Sequence, residues 1–429
     1  MSKSLIGDMA RTYALPSLKR AAGLAVRLVP VPQPTLLVGP GSSVRLGEAI
    51  GAFAHKKILL VTDAVVLQLG LAKGLIAALK ANGSDFVVFD EITPDAPIPV
   101  VERGIAMCKR EGCDAIVAFG GGSVMDAAKA IGMSVANKRH PRQLVGYFRG
   151  WRGPPPIYAV PTTAGTGSEV TVAAVISDTV NHKKLVIADS RMVPRMAALD
   201  PELMTGLPPQ ITAATGMDAL THAVEAYIGN WGTEFTDSMA LAAVAMIYEN
   251  LPVAYADAGN LAAREKMALA SAYAGMAFTR ANVGNVHAIA HQLGGRYHTP
   301  HGLANAIMLP PVLRFSAPAI QSKLAVLAQR AGLGRKGDNE ARLAQKFLDS
   351  VEAMNRLLGI PQQLDALQAE DMLALASAAC WEADTNYPVP RMMSINDCAA
   401  MLREVLPVAA SPDAGAAVKT SKRRAQKPK

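Results

Sequence analysis

At 429 residues the chain is long enough for about two domains, and with 50% hydrophobic and only 18% charged residues it has the apolar content of a folded protein rather than a disordered one. No run of about 18 uncharged apolar residues occurs and Arg27 interrupts the early stretch 21–29, so neither a membrane span nor a signal peptide is expected and the cytoplasm is the expected location. The net charge of +8 is concentrated in a Pro-, Ala- and Lys-rich terminus where Lys419, Lys422, Arg423, Arg424, Lys427 and Lys429 face only Asp413, which reads as a solvated tail and excludes nucleic acid as the expected partner.

Residues 1–33 form an extension that runs into Pro30, Pro32 and Pro34 and is expected either to pack as one amphipathic helix or to trail freely. Short apolar runs then follow at 35–38, 57–61, 85–89, 115–119 and 157–160, each with the length and composition of a strand. The intervening stretches, such as 65–82 and 99–111, are long enough for crossover helices. This alternation predicts βαβ units and a mostly parallel, doubly wound sheet over 34–203. Past Asp200-Pro201 the strand-like runs stop, and 237–249, 261–279, 340–358 and 371–381 show helical spacing rich in Ala and Met. A second, all-helical domain is therefore expected over 204–409, with the boundary near 203, where Gly206, Pro208 and Pro209 break either element. The basic tail occupies 410–429. Cys108, Cys113, Cys380 and Cys398 make no disulfide framework or zinc ribbon and read as buried thiols.

Three glycine-bearing segments follow strands. Gly39-Pro40-Gly41-Ser42-Ser43-Val44 is a partial dinucleotide fingerprint lacking its third small residue, with Asp63 about twenty positions on. Asp63 could accept hydrogen bonds from an adenosine ribose and repel a 2′-phosphate, or simply cap a helix. Gly120-Gly121-Gly122-Ser123 turns the chain from strand into helix, where bare backbone N–H groups and the helix dipole suit a phosphate; Ser123 and Asp126 could equally form a capping box. Pro161-Thr162-Thr163-Ala164-Gly165-Thr166-Gly167-Ser168-Glu169 offers hydroxyls with little bulk, as a polar cofactor needs or a surface loop tolerates.

The histidines are the strongest signal. Of the eight in the chain, four are His287, His291, His298 and His301. His287 and His291 are one helical turn apart and share a face, as do Asp218 and His222. Two such pairs facing each other would present imidazole and carboxylate ligands to a divalent metal. Thr215 and Asp218 could instead be a capping box and His298 a loop residue. Spacing alone does not say which histidines bind.

Taken together, Gly120–Ser123, 161–169, Gly216-Met217-Asp218-Ala219-Leu220-Thr221-His222-Ala223-Val224-Glu225 and 287–305 resemble the iron-containing (group III) alcohol dehydrogenase family, in consistent order from about 35 to 406. The resemblance implies a dehydroquinate-synthase-like architecture, an α/β nucleotide-binding domain beside a helical metal-binding domain with the active site in the cleft between them. It implies Asp218, His222, His287 and His301 as metal ligands, Gly121, Gly122 and Ser123 at the pyrophosphate of NAD, Thr162, Thr163 and Thr166 along the cofactor cleft, Lys184 as a cofactor contact and Asp63 as the residue favouring NAD over NADP. His291 stands beside the site and is expected to relay the hydroxyl proton, with a fifth ligand or a packing residue as the alternative. The implied activity is reversible, metal-assisted hydride transfer between a small or medium primary alcohol, or its aldehyde, and NAD(H), in a homodimer, with Fe²⁺ as the metal and Zn²⁺ as its competitor. Neighbouring readings are a zinc-dependent glycerol-type dehydrogenase, a metal-dependent lyase on the same scaffold, and a noncatalytic sensor. The sequence departs from the family at Thr93-Pro94-Asp95-Ala96-Pro97, where many relatives have an asparagine, and at 384–391, where a cysteine-containing segment is replaced near the substrate pocket.

Overall fold

The structure, a computed structural model, describes Gly23, residues 29–181 and residues 183–407. Most of the N-terminal extension and the whole basic tail lie outside the described residues. In chain order the first part comprises β1 (Thr35–Val38), α1 (Ser42–Gly51), β2 (Ile58–Val61), α2 (Ala64–Gln68), α3 (Lys73–Ala81), β3 (Phe86–Phe89), α4 (Ile98–Glu111), β4 (Ala115–Gly120), α5 (Gly122–Asn137), β5 (Gly146–Tyr147), β6 (Ile157–Pro161), β7 (Ala173–Asp178), β8 (Lys183–Ala188) and β9 (Met196–Leu199).

β2, β4 and β6 are buried along their whole length, as continuous apolar strands covered on both faces must be. Alternate side chains point to opposite faces. Leu59, Val61, Ile116 and Ala118 meet Val101 and Ile105 of α4 and Ala127 and Ile131 of α5, while Leu60, Val117 and Tyr158 meet Leu46 and Ile50 of α1 and Leu75 and Leu79 of α3. The sheet is parallel throughout, in the order β1-β9-β6-β4-β2-β3. All five strands expected from the sequence are present, with ends shifted by at most one residue. Three features differ from expectation. The stretch 65–82 is two helices, because Gly70 turns at φ +72° between them. β9 inserts between β1 and β6. A second, three-stranded sheet, β5-β8-β7, stands apart, with β7 and β8 antiparallel.

From Pro209 the chain is helical: α6 (Pro209–Ile228), α7 (Glu234–Ala256), α8 (Leu261–Ala281), α9 (Asn285–Tyr297), α10 (His301–Arg330), α11 (Glu340–Leu357), α12 (Met372–Asn386) and α13 (Ile395–Glu404). α6 is the central member, buried from Gly216 to Ile228 and packed by α7, α8 and α10. α9 rests on α10 and α12. α7 and α10 have the length and apolarity of a membrane span; α10 is 61% buried over its apolar window and α7 packs on α6 and α8, which is the arrangement of core helices. The four cysteines are buried thiols, as expected.

The two parts meet closely where Gly167, at φ +61°, faces Gly275 of α8. A Cβ on Gly167 would stand 2.7 Å from Ser271 O and 2.8 Å from Gly275 Cα, so this approach requires glycine.

Candidate metal and cofactor site

The carboxyl ends of β2, β4 and β6 lie side by side, the usual ligand position in an open parallel sheet. α5 starts here with Gly121 as its N-cap and no side chain bonding its first N–H groups. Ser123 does not cap the helix: its Oγ accepts from Asp95 N at 3.0 Å. Asp126 does not cap it either, since its carboxylate accepts from Ser168 Oγ at 2.7 Å and Val175 N at 3.0 Å. The capping-box reading of this turn therefore fails, and bare N–H groups remain at a helix start, where an anion is favoured.

The threonine loop covers this turn. Thr162 N donates to Gly120 O at 3.1 Å, and a Cβ on Gly121 or Gly122 would stand 3.6 Å from Thr163 Oγ1 or 2.7 Å from Thr166 Cγ2. Buried Lys129 of α5 ties the arrangement together by donating to the carbonyls of Ser168, Thr171 and Ala173 and to both hydroxyls of Ser168 and Thr171, at 2.6–3.0 Å. Burial lowers its pKa to about 8. Lys184 of β8 forms an ion pair with Asp95, whose N–H donates to Ser123 Oγ, so Asp95 connects two expected cofactor contacts. Asp63 follows β2 and caps α2, accepting from Val66 N at 2.9 Å.

The Gly39 turn is occupied by the protein itself. Gly41 N donates to Asp200 Oδ1 at 3.2 Å, and Ser43 N and Oγ donate to Asp200 Oδ2 at 3.1 and 2.7 Å. A carboxylate already fills the anion position at the start of α1.

Asp218 and His222 are one turn apart on α6, His287 is on α9 and His301 opens α10; one potential ligand atom from each lies within 4.8 Å of the others. Asp218, His222 and His287 are buried. Thr215 is not a cap, since it lies inside α6 and donates to Ile211 O at 2.7 Å. The buried Nδ1 of His222 has no hydrogen-bond partner and sits 4.0 Å from Asp218 Oδ2, and its ring stacks on Phe278 at 4.3 Å. An orphaned buried nitrogen beside a carboxylate and two further imidazoles is a donor set that fits a divalent transition metal. Burial holds His222 and His287 below the ordinary imidazole range and His301 down to about 4, so these imidazoles are neutral near pH 7, the form in which histidine coordinates a metal.

Two residues not singled out as site residues by the sequence reading support this set. Glu225, one turn beyond His222, accepts His287 Nδ1 at 2.6 Å and the N–H groups of Gly284 and Val286 at 2.8 and 2.7 Å, which leaves His287 Nε2 for the metal. Asn305, one turn beyond His301, places its amide nitrogen 2.7 Å from Asp218 Oδ1 and 3.2 Å from both His287 Nε2 and His301 Nε2. Helical spacing from a ligand is the signal that could have found both. His298 takes no part in the cluster; it caps α9 at φ +54°. His291 lies beside the cluster, its ring 5.4 Å from that of His301, with Nδ1 on Glu382. The four-residue cluster reaches the threonine loop through His222, which lies against the backbone of Gly165.

Comparison with known proteins agrees with this geometry. Residues 33–201 match the family model described as iron-containing alcohol dehydrogenase, and residues 212–406 match the C-terminal model of the Fe-containing alcohol dehydrogenase family. The chain is 40% identical to a 1,3-propanediol dehydrogenase of Klebsiella pneumoniae over 370 residues, 85% of this chain and 95% of that protein. It is 36% identical to an NAD-dependent methanol dehydrogenase of Bacillus methanolicus, over 87% of this chain and 98% of that one. A crystal structure of 1,3-propanediol oxidoreductase superposes with a TM-score of 0.85 at 39% identity, covering 88% of this chain and all of the other. On motif order, fold and sequence identity alike, the chain belongs to the iron-containing alcohol dehydrogenase family.

Proposed function

We propose that this protein is an NAD-dependent alcohol dehydrogenase that interconverts small or medium primary alcohols and their aldehydes, with Fe²⁺ as its metal. The observation that carries the reading is the convergence of Asp218, His222, His287 and His301. The bare start of α5 and the close threonine loop supply the matching cofactor cradle. When bound, NAD supplies the carbon that accepts a hydride and the divalent iron supplies positive charge for the substrate oxygen.

The remaining work falls to the chain. Residues 34–203 hold the cofactor and 204–409 hold the metal. The N–H groups of Gly121, Gly122 and Ser123 bind the pyrophosphate, Thr162, Thr163, Thr166 and Lys184 line the cleft, and Asp63 accepts from the adenosine ribose. Asp218, His222, His287 and His301 hold the ion, with Glu225 fixing the His287 tautomer. His291 takes the hydroxyl proton on Nε2 and passes it to water; it is not a ligand. Relatives whose names specify methanol and 1,3-propanediol support small alcohols as the substrate class. The enzyme works in the cytoplasm as a homodimer.

The test is anaerobic iron-loaded protein with NAD and a panel of alcohols, followed by NADH absorbance. Steady NADH formation is expected. Turnover without net cofactor reduction would point to a lyase, and binding without turnover to a sensor. His291→Ala should keep its metal and NAD affinity while kcat falls by roughly a hundredfold or more; loss of the metal would make His291 a ligand.

A further inference from the structure

α12 lies against α9 and brings a carboxylate to His291, which lies beside the four-residue cluster without belonging to it. Glu382 is 91 positions from His291 in sequence, yet its Oε1 is 2.6 Å from His291 Nδ1. The carboxylate is itself held. Tyr387 Oη donates to Oε1 at 2.6 Å and Gln292 Nε2 donates to Oε2 at 2.7 Å, so both oxygens are engaged from two elements. The side chain is 18% exposed, which puts the pair largely out of competition with water. Other ionisable groups facing the pair include Tyr147, on β5, Glu225, on α6, and the histidines His222, His287 and His301. Tyr387 falls in the segment 384–391, where the sequence is expected to depart from the family pattern.

We infer that Glu382 is a positioning residue for His291: it fixes the imidazole as the Nδ1–H tautomer and aims Nε2, with its lone pair, into the cleft. This rests on the reading that His291 moves the hydroxyl proton. An ionised carboxylate only accepts hydrogen bonds, so the nitrogen against it must carry the proton in the neutral ring. Without that partner the ring can rotate and present either nitrogen. Gln292 and Tyr387 prevent the carboxylate from turning away, and the face-to-face contact with His301, at 17° between ring planes, restrains the other side of the imidazole. During alcohol oxidation the substrate O–H proton goes to Nε2, the ring becomes an imidazolium with Nδ1–H still on Glu382, and the proton then leaves from Nε2 to water. Glu382 stays ionised throughout and offsets the transient charge.

The experiment compares Glu382→Ala, Glu382→Gln, His291→Ala and the Glu382→Ala/His291→Ala double variant, each iron-loaded without oxygen. Metal content, NAD affinity, KM and kcat are measured. Glu382→Ala should keep metal and KM while kcat falls roughly ten- to a hundredfold, the scale of losing a partner that orients a site histidine. Glu382→Gln, whose amide oxygen still accepts from Nδ1–H, should lose less, and acetate should restore part of the rate of Glu382→Ala. The double variant should be no slower than His291→Ala alone, because two residues acting through one step are not additive. A wild-type kcat in Glu382→Ala, additive losses in the double variant, or metal loss in both Glu382 variants would overturn the inference. A wild-type rate in metal-replete His291→Ala would instead overturn the proton reading on which it stands.

Discussion

Asp63 performs two tasks with one side chain, capping α2 through Val66 N and presenting its carboxylate at the end of β2. Asp63→Gly should therefore relax the preference for NAD toward NADP, since a ribose acceptor and a charge repelling the 2′-phosphate are both lost. An unchanged ratio of kcat/KM values for the two cofactors would contradict this. His222→Ala and His301→Ala should each purify with less metal than wild type, read by elemental analysis. Glu169 gives a pH dependence of stability. It is buried, and burial pushes its carboxyl up to about 7 from an unfolded value near 4.5. The folded state thus binds this proton more tightly, so the contribution is complete below pH 4.5 and is lost as pH rises through 7. Glu169→Gln should flatten the fall in Tm between pH 5 and pH 8 that wild type shows. Legibility varies at this scale. A candidate metal site was readable because His-x3-His and Asp-x3-His repeat the helical turn, but spacing left open which histidines belong to it and only the family resemblance pointed to His301 rather than His291; Glu382 was not readable, because a partner 91 positions away leaves no local pattern.

The contact between Gly167 and α8 is set by backbone, with no side chain between the two segments. Gly167→Ala meets both the left-handed φ of +61° and the Ser271 carbonyl, and should cost about 3 kcal/mol in urea unfolding, the scale of overpacking a closed site. Ordinary stability in this variant would show that the helix and loop separate easily. The long buried strands β2, β4 and β6 were legible as unbroken apolar runs, and so was the run of helices after 200. β9 was not. Its sequence Met-Ala-Ala-Leu has neither β-branched residues nor alternation, and it is a strand only because β1 and β6 leave a place for it. β7 and β8 escaped because they belong to a separate sheet on which the βαβ rhythm has no bearing. The Gly39 turn, read as only a partial fingerprint, already has its anion in Asp200.

The two parts pack on each other, with the threonine loop resting on α6 and α8 and His222 lying against Gly165. Unfolding should accordingly be a single cooperative transition, reported at the same midpoint by Trp151 in the first part and Trp381 in the second; separated midpoints would show independent units. NAD at a hundred times its Kd should raise stability by about 2.7 kcal/mol, visible as a higher Tm for both reporters. The Asp200 clamp bears on how the molecule is made. Ser43 waits for a partner 157 positions later, and among the described residues β1 pairs in the sheet only with β9. At roughly 5–20 residues per second, a ribosome needs on the order of 10–30 s to deliver that partner. Throughout this interval β1 emerges as an unpaired strand, while β2, β3 and β4 already have one another. Birth of this enzyme therefore runs from the middle of its sheet outward, and the first strand synthesised is among the last to be secured.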